Sequence, residues 1–200
     1  MLARPRKQMK ELIDATIVGA AENLNLVSID LESDIYALNS AYFHLVKNNI
    51  HPAALITGDK RFIARAGTSQ MSLVNRLITF YDNDLAASKE LTEENTNIEL
   101  FECLGRNGFS SNRNEGFYHG CSSFFLAVQY LVSVGYKKIN TIGVNFPPPE
   151  TYSRLNGING HPEFVYDIQL KNLHSLKKFL SDTDTEINCI DINSNLNIFL

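Results

Sequence analysis

No Cys-x-x-Cys pair, no Gly-x-Gly-x-x-Gly fingerprint and no apolar run of membrane-spanning length occur in these 200 residues. Each absence removes a class of function. The three cysteines, Cys103, Cys121 and Cys189, are widely spaced and odd in number, which indicates neither a disulfide framework nor a zinc site. Reduced thiols in a cytoplasmic protein are the plain reading. The N-terminus lacks the apolar core of a signal peptide, and nothing approaches the ~18 apolar residues of a membrane span. No transmembrane segment is therefore expected. Basic residues cluster only at Arg4, Arg6, Lys7 and Lys10, which reads as a solvated arm. With a formal net charge of −4, the chain has little to offer a nucleic acid. No internal repeat or low-complexity segment is found.

What is present describes a globular domain. Hydrophobic residues make up 44% and charged residues 20%, enough for one core over 1–200. Thr16-Ile17-Val18-Gly19 is a short β-branched run, the mark of a buried parallel strand. Asp34–Leu38 is a second strand. Ala41, Tyr42, Leu45 and Val46 then recur at helical spacing behind Ser40, a candidate N-cap. Asn49-Ile50-His51-Pro52 stops that helix, and Ala53–Thr57 forms the next strand. The middle of the chain is less patterned: Ser72–Tyr81 reads as a helix end entering a strand, 82–96 as an exposed acidic loop, and Asn97–Phe101 as a half-buried strand. Residues 105–116 are rich in Gly, Asn and Ser and read as loop. Ser122-Ser123 opens a strongly apolar helix stopped by Gly135, and Lys138–Val144 is a strand. Residues 147–164, broken by Pro147-Pro148-Pro149, Gly157, Gly160 and Pro162, read as a lid loop. An amphipathic helix follows from Val165 to Leu180, and Ile187–Ile190 is a last strand. Alternating strands and helices predict an α/β class fold: an open, doubly wound, mostly parallel sheet, Rossmann-like, in a single domain.

In such sheets ligands bind beyond the carboxyl ends of the strands, so strand-end residues carry the functional argument. Gly19-Ala20-Ala21-Glu22-Asn23 leaves the first strand; it either cradles a phosphate or sugar through backbone N–H groups or serves the turn alone. Asn39 either reads a ligand edge with its amide or caps the following helix. Asp59 either holds a metal with nucleotide phosphates or holds the turn it makes with Gly58. Ser122 and Ser123 either cap their helix or leave its N–H groups aimed at an anion. On the lid loop, His161 has the titration range of a general base, although a loop histidine is commonly a surface residue. His44, His51, His119 and His174 have weaker claims.

The block from Ser122-Ser123 through Gly135-Tyr136-Lys137-Lys138-Ile139 to Gly143-Val144-Asn145-Phe146 resembles the bacterial lipooligosaccharide sialyltransferases of glycosyltransferase family 42. There a Thr-Ser-Gly turn opens the helix, and Gly-Tyr-Lys-Glu-Ile leads to Gly-Ile-Asp-Phe. The likeness continues through His161 to Ile190-Asp191-Ile192-Asn193-Ser194, and Tyr36–Phe43 looks like the family's Cys-Asn-Gln-Phe-Tyr-Phe segment. The resemblance implies a cytoplasmic transferase of surface-glycan biosynthesis, at most peripheral at the inner membrane face. It would use a CMP-activated sialic acid or relative as donor and a glycan as acceptor, with no cofactor. Asn39, Ser122 and Ser123 would hold the donor, with Gly19, Gly143 and Asn145 in the donor-binding motifs and His161 as general base. Tyr152 lies one residue from a tyrosine that assists the departing phosphate, while Pro147 replaces another, and Phe124 stands where the family has glycine. MptE-like pterin pyrophosphokinases and the motility accessory factors share a similar core. On that pattern Asp59 would hold Mg²⁺ in a diphosphotransferase. A non-catalytic nucleotide-binding relative is the third reading. Assembly with a second copy of the chain is left open.

Overall fold

A computed structural model describes residues 14–21, 24–81, 97–146, 163–191 and 194–199. The first strand, β1 (Ala15–Val18), passes through a 3₁₀ turn at Leu26–Ser28 to β2 (Asp34–Leu38). Next come α1 (Ala41–Lys47), β3 (Ala54–Ile56), α2 (Lys60–Met71), β4 (Arg76–Phe80) and β5 (Asn97–Phe101). The second half adds α3 (Ser123–Val134), β6 (Lys138–Ile142), α4 (Glu163–Ser181), β7 (Glu186–Cys189) and α5 (Leu196–Phe199). Seven strands among the described residues form one sheet in the order β5-β4-β3-β2-β1-β6-β7, every neighbouring pair parallel. This is the open, Rossmann-like α/β fold expected from the alternation of elements.

Side-chain alternation explains why helices cover both faces. Ala15, Ile17, Tyr36, Leu38, Ala54, Ile56, Ile78 and Phe80 point to the face covered by α3 and α4. Their neighbours Val18, Ile35, Ala37, Leu55 and Leu77 point to the face covered by α1 and α2. Strands apolar on both sides are stable only when both sides are buried. The α3 helix is apolar almost all round, and its residues from Ser123 to Leu131 are all buried. Gly135, left-handed at φ 110°, ends it and leaves N–H bonds to the Leu131 and Val132 carbonyls.

The outer side of α3 is covered by the loop from Glu102 to Gly120, held by buried amides. Gln129 Oε1 accepts the Ser110 and Tyr118 N–H groups, and its Nε2 donates to the Tyr118 and Phe125 carbonyls. From α4, Asn172 accepts from Gly108 N and donates to Arg106 O. Gln169 donates to Cys121 O at 3.1 Å. A loop with few apolar residues is thus fixed by saturating its backbone groups.

Three sequence expectations are corrected. The helix end read within Ser72–Tyr81 falls earlier, at Met71, and the helix it closes, α2, starts at Lys60; Gly67 breaks its geometry at φ 67°, ψ 169°, and only Ile63 and Met71 are buried. Ser40 stands at the N-cap of α1, but with helical φ/ψ and no side-chain cap bond. Helix α4 begins at Glu163, so the expected lid loop ends two residues early; its remainder, 147–162, lies outside the described residues.

Candidate functional site

Strand order reverses beside β1, where the chain crosses from β5 back past the first strand to β6. The crevice of an open sheet lies at such a reversal, outside the carboxyl ends of the strands. Here the ends of β1 and β6 touch through their backbones. Gly19 N–H donates to Ile142 O at 2.7 Å and Ala21 N–H to Gly143 O at 3.0 Å. A Cβ on Gly19 would sit 2.2 Å from Gly143 O, and Gly143 itself is left-handed at φ 66°. Gly143 N–H is taken by Asp191 Oδ2 at 2.5 Å. These glycines permit a close crossing; the Gly19 N–H is used in making it, and the Gly143 N–H is spent on Asp191. Asn145 ties the exit of β6 to the start of α5, its Oδ1 accepting from Asn195 N at 3.0 Å.

The polar cluster lies one step along the edge, at the ends of β2 and β3. Asn39 follows β2 in a left-handed conformation, φ 50°, which asparagine tolerates better than most residues. Its side chain turns away from α1, so it does not cap that helix. Oδ1 accepts the Thr57 hydroxyl at 2.7 Å and the Ser123 hydroxyl at 3.2 Å. Thr57 Oγ1 also receives Asp59 N–H at 3.1 Å, and Ser123 Oγ receives Gly58 N–H at 3.0 Å. Ser123 stands 84 residues from Asn39 in sequence. The fold brings these two expected donor-site residues into contact at the N-terminus of α3.

That helix end is set by an unusual turn. Gly120 and Cys121 are both left-handed, at φ 58° and φ 54°. Ser122 is a true N-cap, with extended backbone and its Oγ accepting Phe124 N–H at 3.3 Å. His119 braces the turn. Its Nδ1 accepts Cys121 N–H at 3.0 Å, so the ring proton sits on Nε2 and is donated to Gly58 O at 2.9 Å. The ring stacks on Phe80, centroids 5.5 Å apart. The sequence signal for His119 was its place among Phe117, Tyr118 and Gly120; for Thr57 there was none beyond its place at a strand end.

Two chemistries are narrowed by these contacts. Burial pushes the Cys121 thiol up, with the charge of Arg106 opposing, so Cys121 is not an activated nucleophile. Asp59 caps α2 through Arg61 N, and its carboxylate pairs with Arg61 at 3.2 Å and Arg65 at 3.5 Å. Asp59 thus holds the turn and the α2 N-terminus, one of its two sequence readings, with two exposed arginines on its oxygens. Among the described residues no group of three or more His, Cys, Asp or Glu could hold a metal. His161 and Tyr152 lie outside the described residues.

No protein-family model and no curated protein matches the chain. Among solved structures, thiamine pyrophosphokinase from Bacillus subtilis is similar at 12% identity and a TM-score of 0.39. The match covers 90% of this chain and spans 60% of that one. Among the described residues no helix is long and apolar enough to cross a membrane.

Proposed function

We propose that this chain transfers a nonulosonic acid, sialic acid or a relative, from a CMP-activated donor to a glycan hydroxyl. The observation that carries the reading is the contact between Asn39 and Ser123 at the α3 N-terminus, on the edge where open α/β sheets bind ligands. Those are the positions that the likeness to family 42 assigns to the donor. A helix N-terminus stabilises a phosphate or carboxylate without a lysine, which suits a donor carrying both groups.

In this reading His161 takes the proton of the acceptor hydroxyl as its oxygen bonds to the anomeric carbon. The bond from that carbon to the phosphate oxygen breaks, and CMP leaves with the electron pair. Asn39 and the α3 end hold the donor through the displacement. The test is release of CMP from CMP-sialic acid, with and without a glycan acceptor. Turnover should persist in EDTA and be lost in His161→Ala. Wild-type turnover by that variant would remove His161 from the mechanism, and cleavage of ATP in place of CMP-sialic acid would refute the donor.

A further inference from the structure

The Asn39 amide has a fixed polarity. Thr57 Oγ1 and Ser123 Oγ each accept a backbone N–H, from Asp59 and Gly58, so each has its own proton left to donate. The acceptor that both reach is Asn39 Oδ1. Were the amide turned over, an NH₂ group would face two hydroxyls and their protons would lose this acceptor. The oxygen therefore points inward. Asn39 Nδ2 has no hydrogen-bond partner among the described residues. Nor is it shut off from water, since the buried side-chain N or O atom without a partner among the described residues is Thr141 Oγ1.

We propose that Thr57 and Ser123 lock Asn39 so that it offers a ligand its two N–H donors and no acceptor, selecting an acceptor oxygen such as that of a phosphate or carboxylate. Thr57 is then a specificity-determining residue with no ligand contact of its own. His119 is a positioning residue one step further back, since it holds the Gly58 carbonyl whose own N–H holds Ser123. The place of the ligand rests on the donor-site reading above; the orientation of the amide rests on the hydrogen bonds alone. The ambivalent asparagine of the sequence reading, donor and acceptor together, becomes a donor.

Titration of the whole chain with CMP and with cytidine, using Asn39→Asp, Thr57→Val and Thr57→Ser, tests the selectivity. Asn39→Asp keeps the atom that accepts from Thr57 and Ser123 and replaces the outward donors by an anionic oxygen. It should weaken CMP by roughly 10- to 100-fold with an unchanged melting temperature. Thr57→Val frees the amide to turn and should weaken CMP by roughly 3- to 10-fold, and Thr57→Ser should restore it. The same losses with cytidine would place the acceptor on the nucleoside; losses confined to CMP place it on the phosphate. CMP binding by Asn39→Asp at wild-type strength overturns the inference and leaves the functional reading standing. If wild type binds neither probe, the functional reading fails. Neutron diffraction from the unliganded protein then still decides the orientation: Oδ1 facing Thr57 and Ser123 supports it, and Nδ2 facing them overturns it.

Discussion

At the amino edge of the sheet, charged and phenolic groups close on one another. Tyr136 donates to Asp34 at 2.5 Å and accepts from Tyr36 at 3.3 Å. Arg76, at the start of β4, bonds both Glu99 and Tyr130, and Arg113 takes the second oxygen of Glu99 at 3.1 Å. At the carboxyl edge Asp59 and Asp191 are held by Arg61, Arg65 and the Gly143 N–H, and between them neutral amides and hydroxyls join in a chain that ends at the solvent on Asn39 Nδ2. Among the described residues these amino-edge groups bond one another, while the carboxyl-edge chain keeps the Asn39 N–H donors over. Left-handed backbone occurs at both edges: Asn39, Gly120, Cys121 and Gly143 sit at the carboxyl edge, Asn49 and Gly135 at the amino edge. The comparison teaches that polarity alone does not mark a site; surplus hydrogen-bonding capacity does.

The comparison can be broken from either side. At the amino edge, Arg76→Ala leaves Tyr130 without its partner and Glu99 with Arg113 alone. A loss of about 2–3 kcal/mol is expected in urea unfolding, with CMP titration unchanged. At the carboxyl edge, Gly120→Ala puts a Cβ 2.3 Å from the Phe125 ring at a φ of 58°. It should cost about 2 kcal/mol and, unlike Arg76→Ala, weaken ligand binding by displacing the turn before Ser122. Tyr136→Phe removes one hydroxyl from the amino-edge network and should cost about 1 kcal/mol by the same measurement.

A pH prediction separates the edges further. Burial, together with bonds to Asp34 and Tyr36, pushes the Tyr136 phenol well up, and burial pushes Tyr130 up to about 12. In the unfolded chain these phenols lose their protons near 10, the ordinary tyrosine value. Above pH 10 the folded state therefore binds more protons than the unfolded one, and stability falls as pH rises. The stabilisation is fully present below pH 10. The urea midpoint should decline from pH 10 to 12, and Tyr136→Phe should flatten the decline. An unchanged slope in that variant would remove Tyr136 from the amino-edge account.

Much of the fold was legible because the strands are short β-branched runs apolar on both faces, and α3 is bounded by a serine cap and a glycine stop. The body of α2 escaped because Lys60, Arg61, Arg65, Thr68, Ser69 and Gln70 dilute its apolar stripe and Gly67 interrupts it. The candidate cap at Ser40 misled, since the chain enters α1 already helical at that residue. At the site, Asn39, Ser122 and Ser123 followed from their places at strand and helix ends. Thr57 and His119 did not, because their roles are contacts with residues 18 and 61 positions away. Gly19 and Gly143 were read for a ligand, and their N–H groups are spent on Ile142 O and Asp191. Spacing along a chain shows which residues end a strand; it does not show which hydrogen bonds those residues have left.

The central claim is that the carboxyl edge, through Asn39 and the α3 N-terminus, binds a CMP-type ligand. Its most direct test is an NMR titration of the ¹⁵N-labelled chain with CMP. The account predicts the largest shifts at the Asn39 side-chain amide and at the backbone amides of Gly58, Cys121 and Ser123, with Tyr36, Arg76 and Tyr136 unmoved. Shifts centred on those amino-edge residues, or no shifts at saturating CMP, would contradict it.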